Sequence, residues 1–265
     1  MQDKLGDKLK KYEQCYDQVL PAGFPIVVRL DGKAFHTFTR GLDKPYDIGL
    51  TNLMIETTID LVKYFNARIG YTQSDEISLI LFDEGKSEGQ QFANRVNKLI
   101  SISAAFCTNQ FNQGLTQHLP NKPQNALFDS RLFILPEKLV TDYLIWRELD
   151  ATRNSLNTLA QSEFSHKELQ GLGSKDLHEK LHSIGINWNN YPNFFKRGTY
   201  VQKRIITRKF TEEELEKLPE KHNARKNPEL EVKRTLVDKI EMPIFTSLIN
   251  PNEVIFKGEE PKCLS

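Results

Sequence analysis

The chain has 265 residues, with 36 Lys and Arg against 35 Asp and Glu and a formal net charge of +1, and 38% of it is hydrophobic. That balance fits one ordinary globular domain with a sizeable extension; no apolar run approaches the roughly 18 residues that span a bilayer. Three cysteines (Cys15, Cys107 and Cys263) are odd in number and far apart, which argues against a disulfide framework or a zinc cluster and fits a reducing, cytoplasmic setting.

Residues 1–16 read as a charged amphipathic helix. They lack the apolar core of a signal peptide, and their acids argue against a transit peptide. A strand is predicted over 25–30. A helix follows over 47–65, with Leu50, Leu53, Met54, Thr57, Leu61 and Phe65 at three-to-four spacing and Asp47 as its N-cap. Two strands, 68–73 and 77–82, form a hairpin around Ser74-Asp75-Glu76. A second helix over 90–112 and a fourth strand over 126–135 complete the order β-α-β-β-α-β. This is the ferredoxin-like split unit, an α+β fold. It predicts an antiparallel sheet with both helices on one face and the other face open for substrate. The first strand then lies between the third and either the fourth or the second, which brings Asp31 close to the 74–76 turn.

Residues 137–162 read as one long helix or two, 174–183 as a shorter helix ended by Gly185, and 198–210 as a strand. The stretch 211–228, rich in Glu, Lys, Asn and Pro, reads as a mobile loop. Residues 230–264 show short strand-like runs without a motif. The expected division is a core with its N-terminal helix over 1–136. A helical and β extension over 137–265 would pack with it as one unit.

Two short stretches carry the chemistry. Asp31 ends the apolar run 26–30, and Asp75 with Glu76 lies between two apolar strands. Strand-end carboxylates are common turn residues, but two sets of them, flanked by Gly32 and Ser74, converge at one sheet edge if their strands are neighbours. Oxygen-only donors of this kind suit magnesium, which keeps several waters and binds one or two carboxylates together with substrate phosphates. This is the raw material of two-metal phosphoryl or nucleotidyl transfer. Gly32 lets the backbone approach a ligand, so its carbonyl is a further candidate oxygen. Lys33, Arg40 and Lys44 follow at once, with Thr37 and Thr39, and cations beside a metal site are what a triphosphate needs. No P-loop is present. Between 196 and 209 six cations (Lys196, Arg197, Lys203, Arg204, Arg208 and Lys209) occur without an acid, then Glu212, Glu213, Glu214 and Glu216 follow. A polyanion-binding face is one reading of this, and a solvated strand of alternating charge is the other.

His178-Glu179-Lys180-Leu181-His182 matches the HExxH pattern of zinc proteases. The place where a third histidine belongs holds Trp188, and no glutamate follows until Glu212, so an exposed amphipathic helix is the expectation. Cys107 falls on the apolar face of the second helix and reads as core.

The stretches RLDGKAFHTFTR with KPYD, YTQSDEISLIL, DYLIWRELDATRNSLN and FFKRGTYVQKR resemble the tRNA(His) guanylyltransferase family, and more closely its guanylyltransferase-like branch. The resemblance runs in matching order from about Gly23 to Arg204. It implies a polymerase-type palm and extension of RNA at its 5′ end, in the 3′-to-5′ direction. It further implies that Asp31, the Gly32 carbonyl and Asp75 hold two Mg²⁺ ions, with Asp31, Asp75 and Glu76 as the catalytic carboxylates. Lys33, Ala34, Phe35, His36, Lys44, Ser74 and Asp75 would meet the nucleotide, with Lys44 and Ser74 on the triphosphate and His36 in the loop that cups the base. Arg153, Asn154, Lys196, Arg197, Lys203 and Arg204 would face RNA.

Where guanylyltransferases proper carry HINNLYN after a Trp-Arg pair, this chain reads Asp150-Ala151-Thr152-Arg153-Asn154-Ser155-Leu156-Asn157. The histidine is missing and an arginine is present, as in the repair branch. The implied activity is template-directed repair of 5′-truncated tRNA, with ATP activating 5′-monophosphate ends and GTP or other nucleoside triphosphates added. The implied partners are tRNA and nucleoside triphosphates, with no membrane and with a homotetrameric assembly. Strict tRNA(His) guanosine addition, a palm-type nucleotidyl cyclase and a non-catalytic RNA-binding module are the alternatives.

Overall fold

In the run Ile26–Gly32 successive side chains point to opposite faces of a strand, β1. Ile26, Val28 and Leu30 enter one apolar cluster and Val27 another. Both faces of β1 are therefore covered, which explains its nearly unbroken hydrophobicity. The computed structural model describes residues 4–84, 91–227 and 229–264.

Helix α1 (Lys4–Gln14) buries none of its residues. After β1 comes one helical turn, α2 (Phe35–Phe38), then α3 (Ile48–Tyr64), β2 (Ile69–Gln73), β3 (Glu76–Leu81), α4 (Val96–His118) and β4 (Phe128–Ile134). Asp47 caps α3 as the sequence suggests, its Oδ1 accepting the Leu50 N–H at 2.9 Å. The second helix starts later and runs further than expected. Residues 91–94 form a 3-10 turn in which Phe92, Ala93 and Asn94 take positive φ, which delays the helix to Val96; Gln90 lies outside the described residues.

The sheet order is β4-β1-β3-β2-β5-β6, antiparallel throughout. Its first four strands reproduce the predicted split unit with β1 between β3 and β4. The sheet has six strands because β5 (Thr199–Lys209) pairs with β2 and then with β6 (Glu231–Ile240). Residues 231–240, which show only short strand-like runs in the sequence, form a strand as long as its partner requires.

Helices α3 and α4 cover one face, around Leu53, Leu61, Leu99, Cys107 and Phe111. The other face is not open as predicted. Helix α5 (Glu137–Glu163) and the C-terminal residues Phe245, Val254, Ile255 and Phe256 pack on Val27, Ile69, Tyr71, Ile80 and Tyr200. Buried Glu148 of α5 ties this layer together, accepting the Phe245 N–H at 3.1 Å and the Tyr200 hydroxyl at 3.2 Å. The end of α5 (Leu156, Leu159, Ala160) makes a third cluster with Leu177 and Leu181 of α7 (Ser174–Ser183) and Phe195 of α8 (Asn193–Arg197). The short α6 (His166–Leu169) links α5 to α7. The expected mobile loop contains α9 (Glu212–Lys217) and α10 (Asn223–Lys226); Pro228 lies outside the described residues. Thr211 and Glu214 close a capping box on α9. Among the described residues no helix is long and apolar enough to cross a membrane.

Candidate active site at the β1–β3 edge

Asp31 pairs in register with Glu76 on β3 and with Asp129 on β4, and cross-strand partners share a face. The two-residue turn between β2 and β3 is hydrogen-bonded to the end of β1, where Gly32 N–H donates to the Asp75 carbonyl at 3.1 Å. Three carboxylates thus meet where the sequence expectation put them. Ser74 takes φ 55° in this turn and its Oγ donates to Asp75 Oδ1 at 3.1 Å. Ala34, in the loop after β1, is also left-handed at φ 55°. Such backbone costs about 1 kcal/mol or more per non-glycine residue and gathers at functional sites.

Asp75 and Glu76 are neighbours in different electrostatic states. Burial pushes the Asp75 carboxyl above the ordinary range, and the charges of Asp31 and Glu76 push it the same way. Among the described residues neither Asp31 nor Asp75 forms an ion pair. Glu76 is compensated: Arg29 binds its Oε2, Arg147 Nη2 donates to the same oxygen at 3.0 Å, and Arg147 Nε lies 2.8 Å from Oε1. Arg147 Nη2 also reaches Asp150 Oδ2 at 3.0 Å, while Arg153 and Asn154 hold Asp150 from the solvent side.

Two uncompensated carboxylates and a strand-end carbonyl are hard oxygen donors with net negative charge, which fits Mg²⁺ completed by water and phosphate oxygens. They do not form a closed all-protein cage. Among the described residues no group of three or more His, Cys, Asp or Glu could hold a metal ion. Gly32 is required for a packing reason as well, since a Cβ there would sit 2.3 Å from the Phe35 ring.

The nucleotide candidates divide. Lys33, Ala34, His36, Lys44 and Ser74 are exposed, with His36 Nε2 3.1 Å from Thr37 Oγ1. The Phe35 side chain is buried among Phe38, Phe111 and Phe128 and can offer a ligand only its backbone. Lys122 Nζ donates to the carbonyls of Phe38 and Arg40 at 2.5 and 2.6 Å and pins this loop. Beside the turn opens a cleft of about 270 Å³, to which Lys44, Asp47, Gln73, Ser74, Thr158 and Gln161 give polar groups and Tyr46, Leu50, Met54 and Phe194 apolar walls. Its floor comes from α3, α5 and α8, elements far apart in the chain, so no single motif announces it.

The cations of the basic stretch find partners within the chain. Lys196 is buried, its Nζ donating to the Asn189 carbonyl at 2.6 Å, and burial lowers its pKa. Arg197 bonds Asn193 and Lys203 bonds Asn66. Arg204 pairs with Glu260, Arg208 with Glu214 and Lys209 with Glu229. Each of the six cations therefore has a partner within the fold, but only Lys196 is buried; the other five keep part of their surface toward solvent. Arg153 and Asn154 stand exposed on α5, close to the carboxylate edge through Asp150 and Arg147. Sequence reasoning missed Arg29 and Arg147, although Arg29 stands two residues before Asp31 on one strand face. In the HExxH segment, His178 lies against the Trp188 ring and Glu179 beside Lys175.

A family model described as "tRNAHis guanylyltransferase" matches residues 6–136, and one described as "Thg1 C terminal domain" matches residues 138–242. The tRNA(His) guanylyltransferase of Saccharomyces cerevisiae is 36% identical over 72% of this chain and 87% of its own. A bacterial tRNA(His) guanylyltransferase (Thg1)-like protein, solved with ATP, is 41% identical with a TM-score of 0.72, over 75% of this chain and 88% of the other. Another, solved with GTP, is 33% identical with a TM-score of 0.70, over 92% and 94%. The chain belongs to the tRNA(His) guanylyltransferase family and is a nucleotidyltransferase of that family.

Proposed function

We propose that this nucleotidyltransferase restores missing nucleotides at the 5′ end of tRNA, in the 3′-to-5′ direction and under the direction of the opposing strand. The observation that carries the reading is the uncompensated pair Asp31 and Asp75, set at a sheet edge beside a nucleotide-sized cleft. The sheet order β4-β1-β3-β2 under two helices supports a palm of the polymerase type. The Asp150-to-Asn157 segment, with Arg153 in place of the guanylyltransferase histidine, favours repair over strict guanosine addition. The bacterial relatives solved with ATP and with GTP support both nucleotides as substrates.

In this reading a nucleoside triphosphate lies in the cleft with its base against Tyr46, Leu50 and Met54 and its phosphates toward Ser74, Lys44 and the Gly32 backbone. Lys44 and Lys33 offset charge on the phosphates as the bond to the leaving group lengthens. An oxygen of the RNA 5′-phosphate attacks the α-phosphorus of ATP and pyrophosphate leaves. The 3′-hydroxyl of the incoming triphosphate then attacks the 5′-phosphorus of the activated RNA, giving up its proton, and AMP leaves. A 5′-triphosphate end enters at the second step and releases pyrophosphate. Asp31, Asp75 and the Gly32 carbonyl would hold Mg²⁺, which when bound supplies acidification of the attacking hydroxyl and charge neutralisation at the leaving group. Glu76, locked by Arg29 and Arg147, positions the turn. Arg153 and Asn154 would contact the RNA backbone, in a homotetramer such as the resemblance implies.

The test is a competition between a tRNA lacking its first nucleotide and intact tRNA(His), with the opposing base varied through all four identities. Addition to the truncated tRNA that follows Watson–Crick pairing is expected. Faster guanosine addition to intact tRNA(His), indifferent to the opposing base, would restore the guanylyltransferase reading, and turnover of triphosphates without RNA would favour the cyclase.

A further inference from the structure

Beyond the carboxylate edge and its cleft, one surface combines an exposed aromatic ring with cations. Trp146, on α5, is 49% exposed. Its ring is nevertheless held fast. Arg147 Cζ lies 4.4 Å and Arg29 Cζ 5.8 Å from the ring centroid, and Tyr143 meets the ring edge-on at 5.9 Å. Tyr143 is itself fixed by a 2.7 Å hydrogen bond with Ser78. Both guanidiniums bind one oxygen, Glu76 Oε2, so they cannot straddle the indole. They converge toward Glu76, and about half of the Trp146 surface stays open to solvent.

The position is as telling as the rigidity. Arg29 precedes Asp31 by two residues on one strand face, and Glu76 is the cross-strand partner of Asp31. Along α5, Trp146, Asp150 and Arg153 recur at helical spacing, so one surface runs from the indole to an exposed guanidinium. None of the three lines the nucleotide cleft.

We propose that Trp146 is a stacking platform for a nucleobase of the RNA near its 5′ end, with Arg153 meeting an adjoining phosphate. The proposal rests on the RNA-end reading above. Every base offers a π face, so stacking is tolerant of sequence, as an enzyme that must accept any base to be repaired requires. A ring already immobilised by two guanidiniums and a tyrosine loses little further freedom when a base settles on it.

The experiment uses the full chain labelled with 5-fluorotryptophan, whose two ¹⁹F resonances report Trp146 and Trp188 and are assigned with Trp146→Phe. It is titrated with 5′-truncated tRNA and, separately, with ATP alone, and nucleotide addition is measured on the same samples. The tRNA is expected to move the Trp146 resonance while ATP alone leaves it in place. Trp146→Leu is expected to raise the KM for RNA about tenfold, the effect of one lost base stack, with the KM for ATP within twofold. Trp146→Phe, which keeps a π face, should recover most of the loss. A Trp146 resonance that stays still while nucleotides are added overturns the platform and spares the RNA reading. Equal impairment of the Leu and Phe variants with a lowered thermal midpoint makes the ring a structural cover for Arg29 and Arg147. A resonance moved by ATP and not by tRNA assigns the ring to the nucleotide, and absence of any addition removes the RNA reading and the platform with it.

Discussion

In the β5–β6 ribbon charge is dense and settled: Glu214 binds both Arg208 and Arg234, Lys209 meets Glu229, and Arg204 meets Glu260. At the β1–β3 edge Glu76 is settled in the same way, but Asp31 and Asp75 beside it form no ion pair among the described residues, although Asp31 still feels the charge of Arg29. Burial and like charge raise the Asp75 carboxyl, whereas its two arginines hold Glu214 far below the usual carboxylate range. Neutralised charge marks structure here. Charge left unneutralised, next to arginines already committed to another carboxylate, marks the place where an outside cation and phosphates are expected.

The largest effect should come from the unsettled pair. Asp31→Asn or Asp75→Asn is expected to lower nucleotide addition by about 10³-fold or more, without loss of the cooperative thermal transition. For Asp75 the sign can be worked out. A carboxyl whose folded pKa lies above its unfolded value costs stability as pH rises through the unfolded pKa, and the cost is complete above the folded pKa, where the folded state must ionise a group it prefers protonated. Asp75→Asn removes that cost, so its thermal midpoint at neutral pH should equal or exceed that of the parent. A large drop would make Asp75 structural and collapse the contrast.

Next comes the settled neighbour. Arg147 is buried and holds the half-buried Glu76, so Arg147→Met should cost about 3 kcal/mol by leaving a carboxylate short of its partner. Denaturant unfolding measures this, and activity should fall as the Ser74–Asp75 turn loses its anchor. A stability change below about 1 kcal/mol would place Arg147 in the chemistry instead.

How much of this contrast is legible in the chain differs by element. The apolar run 26–30, the apolar periodicity of 47–65 and the Ser-Asp turn specify β1, α3 and the β2–β3 hairpin, because each is decided locally. The partner of β5 is not, since residues 231–240 become a strand only by pairing with it. Nor does sequence show that α5 closes the second face of the sheet, a matter of which surface an amphipathic helix finds. Asp31 and Asp75 stand out in a linear reading, but the arginine that holds their neighbour Glu76, Arg147, comes 72 residues after Asp75. Nor does the sequence show that Arg204, Arg208 and Lys209 pair with Glu260, Glu214 and Glu229, acids up to 56 residues further on.

Smaller effects sharpen the other side of the comparison. Replacing Lys203 and Arg204 together by alanine should change RNA affinity less than twofold and stability by no more than about 1 kcal/mol, as for exposed ion pairs. Filter binding that shows a marked loss, with a flatter salt dependence, would return the ribbon to the RNA path. The smallest effect concerns Glu214. Its depressed pKa contributes stability that is present above the ordinary glutamate value and lost as pH falls below it. The protection of amides in residues 208–216, taken relative to their intrinsic exchange rates, should therefore fall on acidification in the parent and change little with pH in Glu214→Gln.

The central claim is that Asp31 and Asp75 are left unneutralised in order to take a divalent cation, and Mg²⁺-dependent thermal stability tests it most directly. A ligand that binds the folded state alone raises the midpoint in proportion to the logarithm of its excess over Kd. The midpoint of the parent protein should rise with Mg²⁺ at pH 7 and respond much less at a pH low enough to protonate Asp75, while Asp75→Asn should barely respond at either pH. An equal Mg²⁺ response in the parent and in Asp75→Asn would contradict the account.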